Sequence, residues 1–138
     1  MRLRQATAVA IGGRAVMIEG PPGCGKSSLA LMLTDRGAVL VGDDGVGLHV
    51  ERERLIASAP EATAGLLEIR NVGLVRLPCR SAPVALVIRC DDDAPRFVEQ
   101  ADRLEIEGIA LPLLRMRLGN PADAIRVEQA LALHGLRM

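Results

Sequence analysis

The residues best able to do chemistry lie together in one short stretch. Gly20-Pro21-Pro22-Gly23-Cys24-Gly25-Lys26-Ser27 fits G-x-x-x-x-G-K-[ST], a phosphate-binding P-loop. Such a loop wraps a phosphate chain with backbone N–H groups, and close approach requires the glycines at 20, 23 and 25. Lys26 supplies a point charge for the outer phosphates, and Ser27 offers a hydroxyl to Mg²⁺. Cys24 and Ser28 complete the candidate phosphate-binding set. The helix expected to start here aims its positive end at the anion.

Two acidic clusters compete for the second half of the chemistry. Asp43-Asp44 follows an apolar run directly after the loop's helix, where a carboxyl-end ligand site of an α/β sheet falls. Adjacent carboxylates repel, which favours a proton on one of them and suits a base beside phosphate and Mg²⁺. Asp91-Asp92-Asp93 has a Walker-B look, but Arg89 and Cys90 separate it from the apolar run at 84–88 and Pro95 follows. It reads better as a solvated turn. Glu68 and Arg70 share one face of a strand, a carboxylate suited to Mg²⁺ and a guanidinium suited to phosphate. From spacing alone a surface cross-strand ion pair is the preferred reading of the two.

The elements that must position these groups are readable in outline. Ala6–Ile11 and Arg14–Glu19 read as strands joined by Gly12-Gly13. Residues 28–35 read as a well-buried helix closed by Gly37. Short strands follow at 38–41, 46–50, 54–58, 66–70 and 84–88, with one or two more in 105–114, broken by Gly108 and Pro112. Pro121–His134 reads as a helix with Asn120 as N-cap, Pro121 at N1 and Gly135 at its end. Between 38 and 88 there are several strands and almost no helix, so the expected fold is α/β, a P-loop domain with a mixed, strand-rich sheet.

Composition narrows the function classes. The chain has 138 residues, the size of one domain, and is 49% hydrophobic with formal net charge zero. Mean hydropathy is +0.24 and the sequence pI about 6.7. Phe97 is the only aromatic residue, so the core is aliphatic and base-stacking recognition of nucleic acid is not expected. No membrane span or signal peptide is seen, and a cytoplasmic location is expected. Cys24, Cys79 and Cys90 have no metal-ligand or disulfide spacing. Cys24 reads as a small residue that fits the turn rather than as a redox centre.

Taken in order, four pieces carry a family likeness. They are Gly20 through Leu31, Asp35-Arg36-Gly37-Ala38-Val39-Leu40-Val41-Gly42-Asp43-Asp44, Ala59-Pro60 with Gly65, and Glu68-Ile69-Arg70-Asn71-Val72-Gly73-Leu74-Val75. The last resembles the signature E-[IV]-R-G-L-G-[IL]-[IV]. Together they resemble the C-terminal catalytic domain of bacterial HPr kinase/phosphorylase in its short, single-domain form. The likeness is continuous over about 5–78 and fades over the last third, where Gly108–Leu133 has a counterpart.

The resemblance implies a phosphoenolpyruvate carboxykinase-like fold and residues 1–138 as one catalytic domain without the N-terminal domain of longer relatives. It implies ATP- and Mg²⁺-dependent phosphorylation of a serine on the phosphocarrier HPr, phosphorolysis in reverse, and a hexamer. By matching position, Lys26 binds β/γ-phosphates, Ser27 and Glu68 hold Mg²⁺, Asp44 is the base, Asp43 supports it, and Arg70 sits near the phosphates. Three positions depart from the pattern. Gln5 replaces the family's His and cannot move a proton. Asn71 replaces a glycine, which Asn tolerates in left-handed backbone, and Pro22 replaces a Ser. A nucleotide- or phosphate-sensing regulator of the same fold and a small-molecule P-loop kinase are the alternatives. The hairpin expected at 46–58 and the shortage of helix for an Arg-bearing lid count against the latter.

Overall fold

The computed structural model describes residues 2–138. In chain order the strands and helices are β1 (Arg2–Arg4), β2 (Thr7–Ile11), β3 (Arg14–Glu19), α1 (Lys26–Asp35), β4 (Val39–Gly42), β5 (Val46–Glu51), β6 (Arg54–Ser58), β7 (Leu66–Ile69), β8 (Gly73–Arg76), β9 (Ala82–Cys90), β10 (Asp102–Ile106), β11 (Ile109–Met116) and α2 (Asp123–His134). A 3₁₀ turn at Glu61–Thr63 precedes β7.

One nine-stranded mixed sheet forms the body, in the order β1-β5-β6-β9-β3-β2-β4, with β11 also on β9 and β10 outside β11. β9 is its axis. It runs parallel to β3 along one edge, while its other edge is shared: β6 pairs antiparallel with Ala82 and Pro83, and β11 pairs parallel with Val87–Cys90. The apolar run expected at 84–88 is thus the middle of a longer strand. It is buried on both faces, which explains why it shows no alternation.

Each face of the sheet has its own core. On one side Val9, Val16, Ile18, Leu86 and Ile88 pack against Leu29 and Leu33 of α1 and Val127 and Leu131 of α2. On the other, Ala8, Ala10, Ala15 and Met17 meet Leu48, Leu55, Leu111 and Leu113, because the outer strands curl over that face. Small alanines on the curled side and branched residues on the helical side follow from the period-2 alternation of β2 and β3.

Several elements differ from the sequence reading. β1 and β8 were not expected; each is a short strand held by a partner, Arg2–Arg4 by β5 and Gly73–Arg76 by β7. Gly108 does separate β10 from β11, but Pro112 lies inside β11. The proline is tolerated because pairing with β9 begins only at Leu113. α2 starts at Asp123 rather than Pro121, and Ala122, not Asn120, is its N-cap. Asn120 Oδ1 accepts from the Ala122 N–H in a turn ahead of the helix, and Asp123 Oδ2 accepts from the N–H groups of Gly119 and Asn120. No helix among the described residues is long and apolar enough to cross a membrane.

Glu19 ends β3 and is one of few buried polar groups. Its carboxylate pairs with Arg4 of β1 and, at 3.1 Å, with Arg89 of β9, tying both strands to the start of the glycine loop. Burial would raise the Glu19 carboxyl, but the hydrogen bonds and charges of Arg4 and Arg89 outweigh it and hold it below its ordinary 4.5. Glu19→Gln should therefore cost about 2 kcal/mol at neutral pH, read by urea denaturation. Because the folded value is depressed, that advantage of the wild type is present above the ordinary carboxylate range. It should shrink as pH falls through the depressed value.

Candidate active site

β3 delivers the chain from the centre of the sheet into the loop Gly20–Gly25. Gly20 has φ +155°, and a Cβ there would lie 2.7 Å from Cys90 Cβ and 2.8 Å from Cys24 Sγ, so no larger residue fits. Gly25 has φ +109° and forms the N-cap of α1. α1 has no side-chain cap and no acidic residue in its first turn. Its first N–H groups therefore lack intrahelical or side-chain acceptors and carry the positive end of the helix dipole. Lys26 Nζ folds back over the loop, donating to the carbonyls of Gly20 at 2.7 Å and Pro21 at 3.0 Å.

The acidic pair sits in a tight turn beyond β4. Gly42 lies against the Gly45 carbonyl, where a Cβ would come within 2.9 Å, and the Gly45 N–H donates to Ala6 O at 2.9 Å. That turn holds Asp44 at φ +57°, a left-handed conformation that Asp tolerates better than most side chains. Asp43 Oδ1 accepts two hydroxyl bonds, from Ser27 at 2.8 Å and from Thr7 at 2.9 Å. Asp43 is half-buried and Asp44 exposed.

The third side is the β7–β8 hairpin, a two-stranded sheet separate from the main one. Leu67 anchors it in the α1-side core, which turns the neighbouring Glu68 outward. Arg70 and Asn71 form its tip, and Asn71 stands at φ +67°, the left-handed position that a glycine would otherwise fill. Between hairpin, glycine loop and acidic turn lies a cavity of about 590 Å³, lined by Thr7, Gly23, Gly25, Lys26, Ser27, Ser28, Asp43, Asp44, Glu68 and Arg70 among others.

Most of the candidate residues from the sequence thus meet in one place. Gly20 and Cys24 do not line the cavity, because both pack against Cys90 behind the loop. Asp91, Asp92 and Asp93 lie outside it, Asp91 facing Arg115 at 3.9 Å. Arg115, Arg117 and Gln5 are exposed and do not line it either. Thr7 was missed. Its only signal in the sequence is a hydroxyl at the head of an otherwise apolar strand, and the structure buries it completely.

The donor set fits a phosphate chain with a hard cation. The left-handed glycines, the uncapped helix start and Lys26 suit the anion. Among the described residues no three His, Cys, Asp or Glu side chains form a metal cage. That is the usual situation of Mg²⁺, which takes one or two protein ligands and completes its shell with phosphate and water. Ser27 spends its proton on Asp43, leaving its oxygen lone pairs for a cation.

Known proteins with the same organisation share this region. Residues 2–79 match the family model of the HPr serine kinase C-terminal domain. An HPr kinase/phosphorylase from Clostridium tetani is 42% identical over 66 residues, 48% of this chain and 22% of that protein. One from Geobacillus thermodenitrificans is 37% identical over 131 residues, 87% of this chain and 41% of that protein. The chain therefore spans less than half the length of either relative. The solved HPr(Ser) kinase/phosphatase from Coxiella burnetii superposes with a TM-score of 0.84 at 26% identity, covering 96% of this chain and 95% of that one. The chain belongs to the HPr serine kinase C-terminal domain family.

Thr7→Val keeps the shape of the buried side chain and removes one of the two hydroxyl donors to Asp43. It should lower stability by about 2 kcal/mol, measured by urea denaturation, with Thr7→Ser retaining most of the wild-type value.

Proposed function

We propose that this chain is a catalytic domain that transfers the γ-phosphoryl group of ATP, with Mg²⁺, to a serine of an HPr-like phosphocarrier, and that it runs phosphorolysis in reverse. The observation that carries this reading is the single cavity onto which the glycine loop, Lys26, Asp43, Asp44, Glu68 and Arg70 all open. Family membership and the likeness to the Coxiella burnetii kinase/phosphatase support it.

In this reading residues 20–27 act as a P-loop within a phosphoenolpyruvate carboxykinase-like fold. Backbone N–H groups from Gly23 to Ser28 hold the phosphates, and Lys26 leaves the loop carbonyls to meet the β/γ oxygens. Ser27 and Glu68 hold the cation. Bound Mg²⁺ would neutralise charge on the transferring phosphoryl group. Asp44 takes the proton from the seryl hydroxyl as that oxygen bonds to phosphorus and the bond to ADP breaks. In reverse it returns the proton to the seryl oxygen while phosphate leaves with the phosphoryl group as pyrophosphate. Asp43, fixed by Thr7 and Ser27, keeps the acidic turn in register, and Arg70 faces the phosphates from the hairpin. In this reading the protein works in the cytoplasm as a homo-oligomer, a hexamer by family resemblance.

Intact mass of HPr after incubation with Mg·ATP tests the proposal. A phosphate-sized gain is expected with the wild type. Asp44→Asn should lower transfer at least about 100-fold while ATP binding persists. Unchanged turnover in Asp44→Asn would remove Asp44 from the mechanism, and ATP binding without any transfer would favour a sensor. Gln5→His should raise the rate of transfer or phosphorolysis if the missing imidazole limits chemistry, and an unchanged rate would show that it does not.

A further inference from the structure

Cys24 and Cys90 lie 66 residues apart in the chain but side by side in the fold. Their side chains meet over the bare Cα of Gly20: the point where a Cβ would stand is 2.7 Å from Cys90 Cβ and 2.8 Å from Cys24 Sγ. The Cys90 thiol also lies 3.8 Å from the Cys24 carbonyl oxygen, in donor geometry. Both residues are half-buried, whereas Cys79 is exposed and elsewhere. One member of the pair sits in the glycine loop and the other is the last residue of the central strand.

We propose that Cys24 and Cys90 are an oxidation site, a thiol pair that a peroxide converts to an intramolecular disulfide, clamping the glycine loop onto the end of β9. The two sulfurs have different roles. Cys24 Sγ, on the glycine loop and 3.9 Å from Lys26 Nζ, takes the peroxide first. Burial, then the contact with Cys24, pushes the Cys90 thiol up to about 11, so it keeps its proton until the second step. Cys24 sulfur attacks one peroxide oxygen and the O–O bond breaks. This leaves a sulfenic acid and releases hydroxide, which takes up the thiol proton as water. Cys90 sulfur then attacks Cys24 sulfur, the S–O bond breaks, and the departing hydroxide leaves with the Cys90 proton as a second water. Two thiols are oxidised by two electrons and one peroxide is reduced.

The bond would fix Cys24 between Gly23 and Gly25, two left-handed glycines of the loop. The consequence for binding rests on the nucleotide reading above: the disulfide form should bind Mg·ATP at least about tenfold more weakly than the reduced form.

The test is treatment of the reduced full chain with stoichiometric hydrogen peroxide, then N-ethylmaleimide and peptide mass mapping. A monomer carrying a Cys24–Cys90 linked peptide pair, alkylated only at Cys79 and restored by dithiothreitol, is expected. Cys90→Ser should yield no such link and, untreated, should bind Mg·ATP like the reduced wild type. Alkylation of all three thiols, or a link through Cys79, would overturn the pair. A linked form with unchanged ATP affinity would overturn the clamp. A reduced chain that does not bind ATP at all would overturn the nucleotide reading instead, and the peptide map would still decide the pair.

Discussion

One carboxylate oxygen holds the site together. Asp43 Oδ1 takes hydroxyl bonds from Thr7 at the head of β2 and Ser27 in the first turn of α1, while its own backbone belongs to the turn beyond β4. Three segments that the chain brings in from different directions are thereby pinned within a few ångströms. The acidic turn cannot drift from the helix start, because a half-buried carboxylate left without donors is costly. Charge-assisted bonds of this kind are stronger than neutral ones, and their geometry sets where Asp44 and Ser27 stand relative to each other.

The rest of the fold supplies rigidity to that junction without aromatic residues. The sheet is buried on both faces, so β3 and β9, which deliver the loop and back it, are flanked by apolar contacts on either side. Glu19 adds an ion triad where apolar packing ends and the loop begins. The hairpin β7–β8 is different. It is outside the main sheet, anchored by buried Leu67 with Ile69 and Val75 partly buried against the same core. Val72 and Leu74 are exposed on this hairpin, whose tip residues Arg70, Asn71, Val72 and Gly73 form part of the cavity wall.

What the sequence reveals follows the range of the interactions. The loop at 20–27 and the elements on either side are legible because strand, glycine loop and helix start are contiguous and each leaves a local pattern. The Arg52-Glu53 turn could be placed from the strands around it, although both residues take positive φ without a glycine. Thr7 with Asp43, Glu19 with Arg89, and Cys24 with Cys90 could not be paired, since 36, 70 and 66 residues separate them and only the sheet order joins them. β8 escaped notice because four residues with a glycine at the head carry too little pattern to stand apart from a turn. Pro112 misled because a proline breaks a strand only where its missing N–H is needed.

The claim on which everything rests is that the cavity holds nucleotide phosphates at the start of α1. Calorimetric titration of the wild type and of Lys26→Ala with ATP, each with and without Mg²⁺, tests it most directly. Saturable binding by the wild type that is tighter with Mg²⁺, and at least about tenfold weaker in Lys26→Ala, is the predicted result. Equal affinity in the two proteins, or no binding by the wild type, would contradict it.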